Sequence, residues 1–202
     1  MAIHLLLATN NQGKVAEYLA FLEALPLVLV TPSQAGIMTA PEETGGTFEE
    51  NALLKARYYA ERSGLLTLAD DSGLEVDVLN GGPGIYSARY GGPGASDADR
   101  VEKLLKALEG VPWEQRTAKF RCVVALVSPD GTEDTFHGAR EGYVTLEARG
   151  NNGFGYDPVF FLPTLGQTMA ELSSKAKNQL SHRAEAACKA VQRLQKETIL
   201  AQ

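Results

Sequence analysis

The chain has 202 residues, 44% of them hydrophobic and 22% charged, with 25 acidic against 19 basic side chains for a net charge of -6. That length suits one domain with a sizeable core, and the composition excludes a disordered chain and any need for a disulfide or metal staple. A negative surface repels nucleic-acid backbones and anionic membranes, so any phosphate bound must sit in a local pocket built for it.

Ile3 to Ala8 reads as a strand that runs into the polar loop Thr9-Asn10-Asn11-Gln12-Gly13-Lys14. A helix follows, with Val15, Leu19 and Leu22 about a turn apart. Leu27 to Val30 is a second strand, and Thr31 to Gly46 is a loop rich in Pro, Gly, Thr and Glu. Thr47-Phe48-Glu49-Glu50 carries the spacing of a capping box, which predicts a helix to about Ser63 with Gly64 as its stop. Leu65 to Ala69 is a third strand ending in Asp70-Asp71-Ser72-Gly73, and Leu74 to Val78 alternates as a separate, half-exposed one.

Asn80 to Gly94 reads as a Gly/Pro loop, and Ser96 with Asp99 caps a helix that ends at Gly110. Thr117–Val127 and Thr132–Leu146 flank a Pro129-Asp130-Gly131 turn as an antiparallel pair. Gly150 to Pro163 is a second Gly/aromatic loop. A closing helix from Ser181 presents Ala184, Ala187, Cys188, Val191 and Leu194 on one face. Strands alternating with helices, plus the antiparallel excursion, predict an α/β fold with a mixed, mostly parallel sheet. Cys122 and Cys188 lie in apolar runs and read as buried free thiols, not as a disulfide or zinc site. The first residues lack the basic flank of a signal peptide, and no apolar run reaches membrane-spanning length, so a cytoplasmic protein is expected.

Four constellations carry chemistry. The loop Thr9 to Lys14 joins a strand to a helix, where backbone N–H groups and the helix dipole favour an anion and Lys14 adds a full charge. It is not a Walker A loop, which needs Gly at Ala8 and Ser or Thr at Val15. Glu42-Glu43 and Asp70-Asp71 bring carboxylates from two segments, the donor type that Mg²⁺ prefers beside phosphate oxygens. Solvated turns and helix caps are the plainer alternative. Phe154-Gly155-Tyr156-Asp157 pairs glycine with aromatics, which suits stacking of a flat ring and equally a tight turn. Lys177, His182 and Arg183 cluster near the start of the last helix, where cations oppose the dipole unless a polar ligand compensates. His4 and His137 sit in strand patterns and read as structural.

Taken in order, Thr9-Asn10-Asn11-x-x-Lys14-x-x-Glu17, Thr47 to Ala52 with Lys55, Ala69 to Leu74, Gly82 to Tyr90, Phe154 to Pro158 and Ser181-His182-Arg183 closely resemble the inosine triphosphate pyrophosphatase family over essentially the whole chain. The resemblance implies Mg²⁺-dependent hydrolysis of ITP, dITP and XTP to the monophosphate and pyrophosphate. It also implies a homodimer and a single domain, 1–202, with two lobes around a cleft. By motif match, Thr9, Asn10, Asn11, Gln12, Gly13, Lys14 and Lys55 would hold the triphosphate. Glu43 and Asp71 would bind metal, Asp71 would also accept a proton, and Ser72 would contact substrate. Phe154, Gly155, Tyr156, Asp157, Lys177, His182 and Arg183 would form the base pocket. Glu43 is favoured over Glu42 by its spacing from Lys55, and the division of work between Asp70 and Asp71 stays open. The competing readings are a related pyrophosphatase for pyrimidine or modified nucleotides and a non-catalytic nucleotide sensor.

Overall fold

The computed structural model describes residues 3–200, with side chains through residue 196. The strands are β1 (Ile3–Leu7), β2 (Leu27–Val30), β3 (Leu66–Val76), β4 (Thr117–Val127), β5 (Glu133–Val144), β6 (Phe160–Leu162) and β7 (Gln167–Thr168). The helices are α1 (Gln12–Leu22), α2 (Phe48–Ser63), α3 (Asp97–Ala107), α4 (Ser174–Leu180) and α5 (His182–Leu200). The strands form one seven-stranded sheet in the order β2-β1-β3-β4-β5-β6-β7. β1 pairs parallel with both β2 and β3, whereas β6 pairs antiparallel with β5 and with β7. The α/β, mixed-sheet expectation therefore holds.

Two compact units divide the chain. The first comprises residues 1–71, 122–138 and 183–202; the second comprises 72–121 and 139–182. In the first, Leu5, Leu7, Tyr18, Leu22, Leu68, Cys122, Val124, Ala186, Ala190 and Leu194 form the core. In the second, Leu74, Val76, Leu104, Leu108, Phe120, Tyr156, Phe160 and Met169 do so. Burial of these groups is the main favourable term, each Leu, Val, Met or Phe among them being worth roughly 1.5–3 kcal/mol.

Thr47 caps α2 as its spacing requires, its Oγ1 accepting the Glu50 N–H at 3.1 Å, and Gly64 closes the helix through an N–H bond to Ala60. Several expectations change. Asp70-Asp71-Ser72-Gly73 does not end a strand: β3 runs unbroken through it. Aspartate and glycine are poor strand formers, but here the carboxylates are matched by cations from other segments. On α1, Val15 and Leu22 pack on the core as expected, but Leu19 is exposed and Glu17 and Tyr18 are buried instead. On α5, Cys188 is exposed, and Ala186 and Ala190 are buried in its place; only Cys122 is a buried thiol. The loop after Asn80 holds a short 3-10 turn at Gly84–Arg89, and the segment before Ser181 holds α4.

Candidate active site

In the first unit, the site is built from the end of β1, the start of α1, the body of α2 and the middle of β3. β1 delivers Thr9, whose Oγ1 accepts the Asn11 N–H at 3.2 Å. Asn11 caps α1, its Oδ1 accepting the Lys14 N–H at 3.0 Å. Asn10, Asn11 and Gln12 are exposed and Gly13 is half-buried, so this turn offers its polar groups to solvent at the positive end of α1.

Lys14 turns inward and its Nζ lies 3.0 Å from Asp70 Oδ2. The same Asp70 oxygen accepts from Arg183 Nε at 3.2 Å, and Arg183 Nη1 donates to Glu17 Oε2 at 2.7 Å. Arg183 is among the largest fully buried side chains among the described residues. Burial alone would push the Asp70 carboxyl up. Lys14, Arg183 and Lys55 outweigh it and hold Asp70 well below the usual carboxylate range. Its Oδ1 is buried and has no hydrogen-bond partner among the described residues.

One residue on, Asp71 meets a different set. Lys55 Nζ donates to Asp71 Oδ1 at 3.1 Å and to Glu43 Oε1 at 2.7 Å, so two carboxylates from separate segments share one ammonium. Glu42 is exposed, which favours Glu43 of the two. Burial raises the Asp71 carboxyl, Lys55 and Lys14 lower it, and Glu43 raises it again; the net shift is upward. Lys55, despite burial, is held protonated by Asp71 and Glu43.

In the second unit, the Phe154–Asp157 loop is pinned by its own carboxylate. Asp157 Oδ2 accepts the Phe154 N–H at 2.9 Å and also the Lys177 ammonium. Lys177 Nζ stands 4.5 Å from the centroid of the Phe154 ring, a cation–π contact. Tyr156 is buried and its hydroxyl donates to Ser87 O at 2.8 Å, so this aromatic anchors the loop from below. His182 is buried and stacks on Phe120, ring centroids 4.5 Å apart and 12° from parallel. Ser72, half-buried, opens this unit directly after Asp71.

The Ham1 family matches residues 5–193. The chain belongs to that family. It is 51% identical over 181 residues to a dITP/XTP pyrophosphatase of Bacillus licheniformis, covering 90% of this chain and 92% of that one. It is 52% identical over 182 residues to one from Geobacter sulfurreducens, again 90% and 92% covered. Among solved structures, a HAM1 protein from Coxiella burnetii aligns with TM-score 0.88 at 41% identity, covering 96% of this chain and 99% of that one. A nucleoside-triphosphatase and dITP/XTP pyrophosphatase from Mycobacterium abscessus aligns with TM-score 0.77 at 40% identity, covering 94% and 98%.

This Ham1 chain uses residues to which the motifs alone assign no role. Asn51, fully buried, donates to Asp71 Oδ2 at 3.4 Å and accepts the Gly45 N–H at 2.8 Å, tying the acidic loop to β3. It lies inside the Thr47–Ala52 motif, and its polarity within an apolar helix face is the available signal. Ser87 Oγ accepts the Leu74 N–H at 2.9 Å, so the Gly82–Tyr90 motif supports the strand that carries the aspartates. Arg183 is joined to Asp70 and Glu17, while His182 is joined to Phe120: adjacent residues serve different clusters.

Proposed function

We propose that the chain hydrolyses the non-canonical purine nucleotides ITP, dITP and XTP to the monophosphate and pyrophosphate, keeping deaminated purines out of nucleic acids. The observation that carries this reading is the Lys55 ammonium held by both Glu43 and Asp71, next in β3 to the Asp70–Lys14 pair. The chain is about half identical to named dITP/XTP pyrophosphatases, which supports the same reading.

In this reading Lys14 and Lys55, with the donors of Thr9, Asn10, Asn11, Gln12 and Gly13, neutralise and orient the triphosphate. Charge stabilisation is the main task in phosphoryl transfer. Water attacks the α-phosphorus, the bond to the leaving pyrophosphate breaks, and the proton of the water passes to Asp71. The raised affinity of Asp71 for a proton suits an acceptor. Asn51 and Lys55 hold the two oxygens of that carboxylate in place.

Glu43 and Asp71 are the residues that would hold Mg²⁺. Their hard oxygen donors fit it, and their joint grip on one ammonium supports sharing of one cation. Among the described residues no group of three His, Cys, Asp or Glu side chains converges; phosphate and water oxygens would supply the remaining donors. When bound, the ion supplies further neutralisation of the leaving pyrophosphate. Phe154, Gly155, Tyr156, Asp157, Lys177 and His182 form the base-reading group. The resemblance assigns Arg183 to the same group, and here it is joined to Asp70 and Glu17. A buried donor matched to the 6-oxo group would oppose the 6-amino group of adenine.

We further propose a homodimer, on the family resemblance, acting in the cytoplasm, on the lack of a signal-peptide pattern in the sequence. No helix among the described residues is long and apolar enough to cross a membrane. The deciding experiment is incubation with ITP or XTP and Mg²⁺, assayed for pyrophosphate against orthophosphate, with dTTP and UTP as comparison substrates. Pyrophosphate from purines alone is expected. Binding without product would identify a sensor, and faster turnover of dTTP or UTP would reassign the substrate.

A further inference from the structure

The helix α3 opens with Ser96-Asp97-Ala98-Asp99, and its capping is complete without Asp97. Ser96 Oγ accepts the Asp99 N–H at 3.2 Å, and Asp99 Oδ2 accepts the Ser96 N–H at 2.7 Å. The Asp97 carboxylate is therefore left over by the helix, and both of its oxygens are committed elsewhere. Oδ1 receives Arg100 Nη2 at 2.8 Å, and Arg100 is itself fixed by donating to Ala95 O. Oδ2 accepts the Gly155 N–H at 2.7 Å.

That contact falls at a telling place. The next amide upstream, Phe154 N–H, is held at 2.9 Å by Asp157. Two consecutive N–H groups thus point at two different carboxylates, one inside the loop and one from α3. Fixing both amides fixes the two peptide planes that flank Phe154, and hence the direction in which its ring leaves the backbone. Gly155 sits at φ +62°, a left-handed conformation with few intrinsic preferences to hold it, so the contact with Asp97 supplies the restraint. Lys177 then stands over the ring so placed.

We propose that Asp97 is a positioning residue for base recognition, clamping the Gly155 amide so that Phe154 is presented in one orientation to a purine base. This rests on the hydrolase reading given above. In this role Asp97 acts through the Gly155 amide and not on the reacting atoms, and its side chain is 47% exposed on the first turn of a helix, so its removal should leave the fold intact.

The test compares Asp97→Ala and Asp97→Asn with the parent enzyme. Asparagine keeps a carbonyl oxygen that can accept from Gly155; alanine does not. Asp97→Ala should raise KM for XTP and ITP about 10-fold, the scale of one charge-assisted hydrogen bond, with kcat unchanged. Asp97→Asn should restore most of that loss. Hydrogen exchange at the Gly155 amide, measured without nucleotide, should be faster in Asp97→Ala than in the parent. An unchanged KM in Asp97→Ala, or an Asp97→Asn variant as impaired as the alanine one, would overturn the role. Unchanged exchange at Gly155 would overturn the clamp itself, whatever the activity. A parent enzyme that releases no pyrophosphate would instead overturn the hydrolase reading, and the exchange result would still decide the clamp.

Discussion

Asp70 and Asp71 are consecutive in β3, yet their carboxyls shift in opposite directions. Alternate residues of a strand face opposite sides, and the partners on the two sides differ. Asp70 contacts Lys14 and Arg183, which with Lys55 outweigh its burial and hold it ionised; Asp71 contacts Lys55 and Asn51, but its burial, reinforced by the nearby Glu43 charge, outweighs the lysines, and it binds its proton more tightly than usual. One carboxylate is a fixed charge in an ion-pair network and the other is suited to accept a proton.

Asp71→Asn removes the proton acceptor while keeping the shape of the side chain. It should fold normally and lose at least about 100-fold in kcat, the lower range of general-base assistance. Steady-state kinetics with circular dichroism as a fold check would measure this, and near-normal turnover would exclude Asp71 as the base.

The acid limb of kcat/KM should report the same group. Asp71 must be ionised to act, and burial raises its carboxyl more than Lys55 lowers it, so activity should fall through a pKa above the ordinary aspartate value of about 4. Lys55→Met removes a cation that favours the ionised form, so the limb should move to higher pH. A pH–rate profile that stays in place would refute the coupling.

Asp70 should matter first for stability. Asp70→Asn leaves Lys14 and Arg183 partly uncompensated, Arg183 in a fully buried position, and should cost about 3–5 kcal/mol. Because the folded carboxyl is depressed, its stabilising contribution is complete above about pH 4 and is lost as pH falls towards the lower folded value. Urea unfolding of parent and variant at pH 7 and pH 3 should therefore show the difference narrow under acid.

Gly153→Ala tests the second unit. A Cβ there would lie 2.0 Å from Asp157 Oδ2, the oxygen that holds Phe154 and Lys177, and φ at Gly153 is +76°. The carboxylate must move, and KM for XTP should rise about 10-fold or more, equivalent to about 1.4 kcal/mol. Michaelis constants of the two proteins would decide it.

Chelation should abolish pyrophosphate release at pH 7, and added Mg²⁺ should restore it. Glu43→Gln should raise the Mg²⁺ concentration needed for half-maximal rate, because one of two carboxylate donors becomes neutral. A metal titration that overlays the parent curve would remove Glu43 from the site.

The amino-acid sequence by itself determined the alternation of strands and helices, the cap at Thr47, the stop at Gly64 and the motifs that identify the family. These are legible because they depend on residues within a few positions of one another. The continuity of β3 through Asp70, Asp71 and Gly73 was not legible. Neither were the different employments of Asp70 and Asp71, the inward turn of Arg183, or the use of Asp97 against Gly155. Each depends on a partner group contributed from 16 or more residues away. Whether a buried charge is tolerated, and what its proton costs, depends on partners that only the tertiary structure brings within about 3 Å.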